Sequence, residues 1–96
     1  MPYRIEYDPK TWDHFSALTA RERTTLLDVV DRQLLHEPTQ PTRNRKLLRA
    51  NPVAPWELRI GELRVYYEVS EGIVTVRAIG VKRRDRVFIG KEEIEL

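Results

Sequence analysis

The chain contains no cysteine, which removes disulfides, thiol catalysis and cysteine-based zinc or iron–sulfur sites and leaves any chemistry to other side chains. No apolar run reaches the length needed to span a bilayer, so no membrane contact is expected. The opening residues, Met1-Pro2-Tyr3-Arg4-Ile5-Glu6-Tyr7, lack the apolar core and small-residue cleavage site of a secretory signal, and the cytoplasm is the expected compartment. The four glycines stand singly, with no phosphate-cradling glycine loop. The two histidines, His14 and His36, lie too far apart to read as a ligand pair; each is expected at the surface, and neither a metal nor another cofactor is expected. Internal repeats and low-complexity stretches are also missing.

What is present is one small, heavily charged domain. With 96 residues, 41% of them apolar and 33% charged, the chain can bury a single modest core. The net charge of +2 conceals three blocks. Lys and Arg number 5 against 7 acidic residues over positions 1–42, 11 against 5 over 43–90, and 1 against 3 over 91–96. A basic middle between acidic ends bears on partner choice rather than on fold.

The clearest local signal is Trp56 to Val69, two alternating runs joined at Gly61-Glu62. Gly at the first loop position suits a type II′ hairpin, which pairs Ile60 with Leu63, Leu58 with Val65 and Trp56 with Tyr67 on one apolar face. The opposite face then carries Arg59 across from Arg64 and Glu57 across from Tyr66. Like charges in direct opposition are destabilising, so such a face is either wetted or kept for a polyanion. Glu71-Gly72 is a second turn signal. It continues the sheet by pairing Val69 with Val74, Tyr67 with Val76 and Val65 with Ala78, and brings Arg77 beside Tyr66 and Ile79 beside Arg64. Lys82-Arg83-Arg84-Asp85-Arg86 follows at the strand end, a cation cluster of the kind phosphates favour.

Upstream, Tyr3, Ile5 and Tyr7 alternate with polar residues as a short strand. Asp8-Pro9 reads as a helix start with Asp8 as cap and with Trp12, Phe15 and Leu18 facing the core. Thr19-Ala20-Arg21-Glu22 matches a capping box for a second helix to about Glu37, with Leu26, Leu27, Val30, Leu34 and Leu35 as its apolar stripe. Prolines 38, 41, 52 and 55 bracket a loop with room for an edge strand around Arg45–Leu48. Val87-Phe88-Ile89 reads as a last strand, and Gly90 opens an acidic tail that either folds over the basic surface or frays. The expected class is α+β: a short N-terminal strand, two helices, then a twisted antiparallel β-meander packed on the helices.

This order of elements resembles the RelE/ParE superfamily of type II toxins over almost the whole chain. The most specific part is Trp56-Glu57-Leu58-Arg59-Ile60-Gly61-Glu62-Leu63-Arg64-Val65-Tyr66-Tyr67, similar to the family pattern W-x-L-R-x-G-x-x-R-V-x-Y, with Val76-Arg77-Ala78-Ile79-Gly80-Val81-Lys82-Arg83 at the usual distance behind it. The resemblance implies a single RelE/ParE-like domain over residues 1–96. Its implied activity is a ribosome-dependent mRNA endoribonuclease that inhibits translation, held in a heteromeric complex by a cognate antitoxin. ParE-like members poison DNA gyrase on the same scaffold, and a degenerate member would keep only antitoxin or nucleic-acid binding; fold alone does not choose among these.

Carried over by position, Arg59, Arg64 and Arg83 match the basic places that RelE-type toxins use on the RNA phosphate. Attack of a ribose 2′-OH on its 3′ phosphate needs a base, cations for the phosphorane and an acid for the leaving oxygen. Arginine meets only the second need, because guanidinium stays protonated. RelE-type toxins place a lysine just after the strand's leading aromatic and a tyrosine near the C-terminus; this chain has Glu57 at the first place and Phe88 or Ile89 near the second. Glu57 and Tyr66 therefore complete the catalytic candidates, Tyr66 also as a stacking platform for a base. Candidates for holding the RNA backbone are Arg45, Lys46 and Arg49 in the proline-rich segment, Arg77 on the third strand, and Lys82, Arg84 and Arg86 in the basic cluster.

Overall fold

The computed structural model describes residues 2–94. Strand β1 (Arg4–Tyr7) leads into a turn at Asp8-Pro9, where the Asp8 carboxylate accepts the Lys10 amide at 3.0 Å. Asp8 thus closes the turn rather than capping the helix, and α1 starts only at Thr11 (Thr11–Ser16). That delay sets which residues face inward. Thr11, Phe15 and Leu18 point at the sheet, whereas Trp12, expected in the core, is 76% exposed. The Arg23 guanidinium closes the end of α1, donating to the Phe15 and Leu18 carbonyls at 3.2 and 2.7 Å.

Helix α2 (Ala20–Leu34) carries the expected capping box: the Glu22 amide donates to the Thr19 hydroxyl and the Thr19 amide to the Glu22 carboxylate. Leu26, Val30 and Leu34 are buried one turn apart, while Leu27 lies off that stripe and is exposed. The helix ends three residues before Glu37, which takes a left-handed φ of 50° and turns the chain into Pro38. From there the chain forms β2 (Arg45–Leu47), β3 (Trp56–Ile60), β4 (Leu63–Ser70), β5 (Ile73–Arg83), β6 (Arg86–Ile89) and β7 (Glu92–Ile94). The acidic tail thus folds back as a strand on β6; Glu95 and Leu96 lie outside the described residues.

The strands form one sheet in the order β2-β3-β4-β5-β6-β7, antiparallel throughout, with β1 parallel to the first half of β5. The class is α+β, two helices on one face of a seven-stranded sheet. The β3–β4 hairpin has the expected register, with Trp56 opposite Tyr67, Leu58 opposite Val65 and Arg59 opposite Arg64. The next hairpin keeps Val69 with Val74 and Tyr67 with Val76, but a bulge then leaves Arg77 unpaired. Beyond it Tyr66 meets Ala78, Val65 meets Ile79 and Arg64 meets Gly80, so the expected Val65–Ala78 and Arg64–Ile79 pairings do not form. An extra residue reverses the side-chain parity of the rest of the strand. Ile79 and Val81 consequently join the helix-side core with Leu26, Val30 and Tyr67, and Ala78 joins Tyr66 and Ala54 in a second, smaller cluster on the outer face.

Candidate functional site

The outer face of the sheet is not flat. The segment Lys46–Asn51 on one side, and the β5–β6 turn with β7 on the other, stand above the β3–β4 hairpin and enclose an open cleft of about 1080 Å³. Glu57, Arg59 and Tyr66 line it from the hairpin, Lys46 and Arg49 from one wall, and Asp85, Arg86, Val87, Glu93 and Ile94 from the other. The first wall is shaped by Asn51. Its side chain donates to the Arg49 and Ala54 carbonyls and accepts from the Val53 and Ala54 amides, which satisfies a tight loop without regular structure.

Within the cleft Glu57 is 5% exposed, and Arg59, with its side chain about half exposed at 48%, donates Nε to Glu57 Oε1 at 2.7 Å. Lys46 and Tyr66 flank Glu57 on the neighbouring strands in direct register. Tyr66 is fully buried, and its hydroxyl has no hydrogen-bond partner among the described residues. Burial pushes the phenol well above its ordinary value, and the neighbouring Glu57 carboxylate pushes it further. The phenol therefore stays protonated, and with its ring covered it offers no face for a base to stack on.

The other sequence candidates lie elsewhere. Arg64 is on the same face but buried, its NH1 turned back to the Gly61 and Leu63 carbonyls at 2.7 and 2.9 Å, where it braces the hairpin turn. Arg83 lies near Glu22 of α2, 3.7 Å away, because the bulge carries it to the helix side with Val81. Arg77 is clamped between Glu68 and Asp8, with Nε 3.0 Å from Glu68 and NH1 2.9 Å from Asp8. Arg45 is buried as well; it donates to the Gln33 carbonyl at 2.6 Å and the Gln40 carbonyl at 3.1 Å, tying β2 to α2. Lys82 sits 3.8 Å from Asp85, and Arg84 is exposed at the β5–β6 turn. Of the twelve candidates, the cleft brings together Glu57, Arg59, Tyr66, Lys46, Arg49 and Arg86.

Sequence reading missed the far wall, Asp85, Glu93 and Ile94. The acidic tail was visible, but its pairing with β6 depends on a two-residue turn at Gly90-Lys91 with Gly90 at φ 63°. His14 is also more than a surface residue: its Nδ1 accepts the Ile79 amide at 3.2 Å. Among the described residues no group of three His, Asp or Glu side chains is placed to hold a metal ion, and no helix is long and apolar enough to cross a membrane. Comparison with protein-family models and with curated proteins found no match to this chain.

Proposed function

We propose that the chain is the toxin of a type II toxin–antitoxin system, an endoribonuclease of RelE type that cuts messenger RNA on the ribosome and acts in the cytoplasm. The observation that carries this reading is the cleft, in which four cations surround one buried carboxylate on the outer face of the β3–β4 hairpin. The likeness of residues 56–67 to the RelE/ParE pattern supplies the phosphodiester as the ligand such a cleft suits.

In this reading Arg59 meets the scissile phosphate and stabilises the charge that develops on the phosphorane. Glu57, held by Arg59, accepts the proton of the attacking 2′-OH. The phosphorus–5′-oxygen bond then breaks, leaving a 2′,3′-cyclic phosphate, and the leaving oxygen takes a proton from Lys46. The three cleft arginines cannot release one, and Lys46 lies directly across from Glu57. Arg49 and Arg86 hold the flanking backbone. The antitoxin would inhibit by covering these cations.

One observation favours a second reading, a ParE-like gyrase inhibitor or a member that binds without cutting. Arg64 and Arg83, two of the three arginines matched to the RelE phosphate positions, are engaged outside the cleft. Both readings meet in one experiment: induction of the gene in a bacterial host, followed by pulses of labelled methionine and labelled thymidine, with Arg59→Ala and Glu57→Gln as controls. Early loss of methionine incorporation alone, relieved by both substitutions, supports the nuclease. Early loss of thymidine incorporation transfers the case to gyrase, and no effect on either label sinks both toxin activities in that host.

A further inference from the structure

The cleft is less basic than the sequence around it. Lys46, Arg49, Arg59 and Arg86 line it against Glu57, Asp85 and Glu93, four positive charges against three negative. The arginines on opposite sides are each held by one of those carboxylates, Arg59 by Glu57 at 2.7 Å and Arg86 by Glu93 at 3.4 Å. The two pairs differ in what it takes to part them. Glu57 is buried in a five-residue strand with neighbours on both sides. Glu93 is exposed, on a three-residue strand at the edge of the sheet that pairs with β6 alone. Short edge pairs open at low free-energy cost relative to the core.

The same short strand covers more than one group. Ile94 packs on the outer apolar cluster formed by Ala54, Tyr66 and Ala78. Tyr66 in that cluster lies directly across from Glu57 and lines the cleft with it, so Ile94 covers the flank of the buried carboxylate.

We infer that β7 is an autoinhibitory strap, with Glu93 standing in for a phosphate on Arg86 and Ile94 closing the approach to Tyr66, and that an anionic chain enters by displacing it. Leaving of Glu93 takes the cleft from one excess positive charge to two, frees Arg86 and opens the floor. The device regulates the site proposed above, and it rests on reading that site as one for an RNA backbone.

Because the chain has no cysteine of its own, a single engineered disulfide can lock the strap. Val87 and Ile94 are direct cross-strand partners, and such partners have a separation that a disulfide spans. The double variant Val87→Cys, Ile94→Cys is compared with itself, oxidised and reduced, for binding of a labelled single-stranded 12-nucleotide RNA and, separately, of inorganic tripolyphosphate. The reduced form should bind RNA about tenfold more tightly than the oxidised form. In the unlocked protein Glu93→Gln should tighten binding by about fivefold at low salt. Equal binding of both probes by the two redox forms overturns the strap. If RNA binds to neither form while tripolyphosphate still separates them, the strap stands and the RNA reading falls; if neither probe binds either form, both fall.

Discussion

The Nδ1 of His14 accepts a hydrogen bond from the backbone amide of Ile79 at 3.2 Å, and in doing so fills a gap in the sheet. Strand β5 is paired by β1 up to Val76 and by β6 from Gly80 onward, and the bulge at Arg77 lies between. The bond exists only while Nδ1 is unprotonated. Burial lowers the His14 pKa, Lys10 lowers it further, and Asp13 and Asp8 oppose the shift. A depressed histidine pKa means that the unfolded chain binds the extra proton more readily. The stability contributed by this contact is therefore full above the unfolded value of about 6.5 and is lost as pH falls below it. Thermal unfolding between about pH 7.5 and pH 5 should show wild-type protein losing more stability than His14→Asn, whose amide oxygen accepts the same bond without titrating. Parallel pH profiles for the two proteins would mean that His14 contributes nothing specific.

Tyr67 joins the sheet to the end of the helical layer. Its ring is fully buried and stacks on Trp56 with centroids 6.2 Å apart, and its hydroxyl donates to the Pro38 carbonyl at 2.6 Å, just after the left-handed turn at Glu37. Tyr67→Phe keeps the ring and strands a carbonyl, which should cost about 1–3 kcal/mol. Tyr67→Ala also removes the ring, and should cost about 3–5 kcal/mol, a large share of the total stability of a domain of this size. Urea denaturation of both variants measures the difference. A Tyr67→Ala protein that melts like wild type would place this side chain outside the core.

The first hairpin is legible because alternation and a glycine turn agree on one register, and the sequence alone assigns Tyr67 to the core. The next strand departs from the expected register after Val76, although its sequence carries the signal. Val74 and Val76 are even-numbered apolar positions and Ile79 and Val81 are odd, and a switch of parity within one strand marks a bulge. That one residue accounts for two departures from the sequence expectation: Ile79 turns inward instead of lying beside Arg64, and Arg83 goes to the helix side, away from the phosphate place that the resemblance implies. Arg64 was assigned to the correct face and still does not reach the cleft. Register determines where a Cβ leaves the sheet, but a long arginine can turn back onto nearby backbone carbonyls, here those of Gly61 and Leu63. Trp12 was lost to the turn at residues 8–10, which delays the helix and rotates its stripe. The far wall depends on a short terminal strand whose own residues carry almost no strand signal.

Arg84 and Asp85 form the β5–β6 turn with φ of 50° and 67°, so both residues occupy the left-handed region without being glycine. Two successive positive φ values are what a type I′ hairpin requires, and Asn-Gly meets that need with least strain. The double substitution Arg84→Asn, Asp85→Gly should raise stability by about 1–2 kcal/mol in chemical denaturation. If Arg84 also holds RNA, the same variant should bind RNA more weakly despite being more stable. A loss of stability would show that Arg84 or Asp85 makes contacts that outweigh the backbone strain.

Arg45 and Lys46 are sequence neighbours with opposite assignments. Arg45 pairs with Leu58 on the helix side, is buried, and spends its guanidinium on the Gln33 and Gln40 carbonyls. Lys46 pairs with Glu57 and lines the cleft. Removing Arg45 as Arg45→Ala leaves two carbonyls short of a charged donor and should cost about 2–3 kcal/mol of stability, with RNA affinity falling only as the fold is lost. Lys46→Ala should leave stability within about 0.5 kcal/mol, and, if the cleft holds RNA as proposed, it should weaken RNA binding and reduce the salt slope of log K by about one phosphate contact. Urea titration and salt-dependent binding on the two variants separate the roles. The assignment fails if Lys46→Ala destabilises the fold, or if a folded Arg45→Ala protein loses the salt slope that Lys46→Ala keeps.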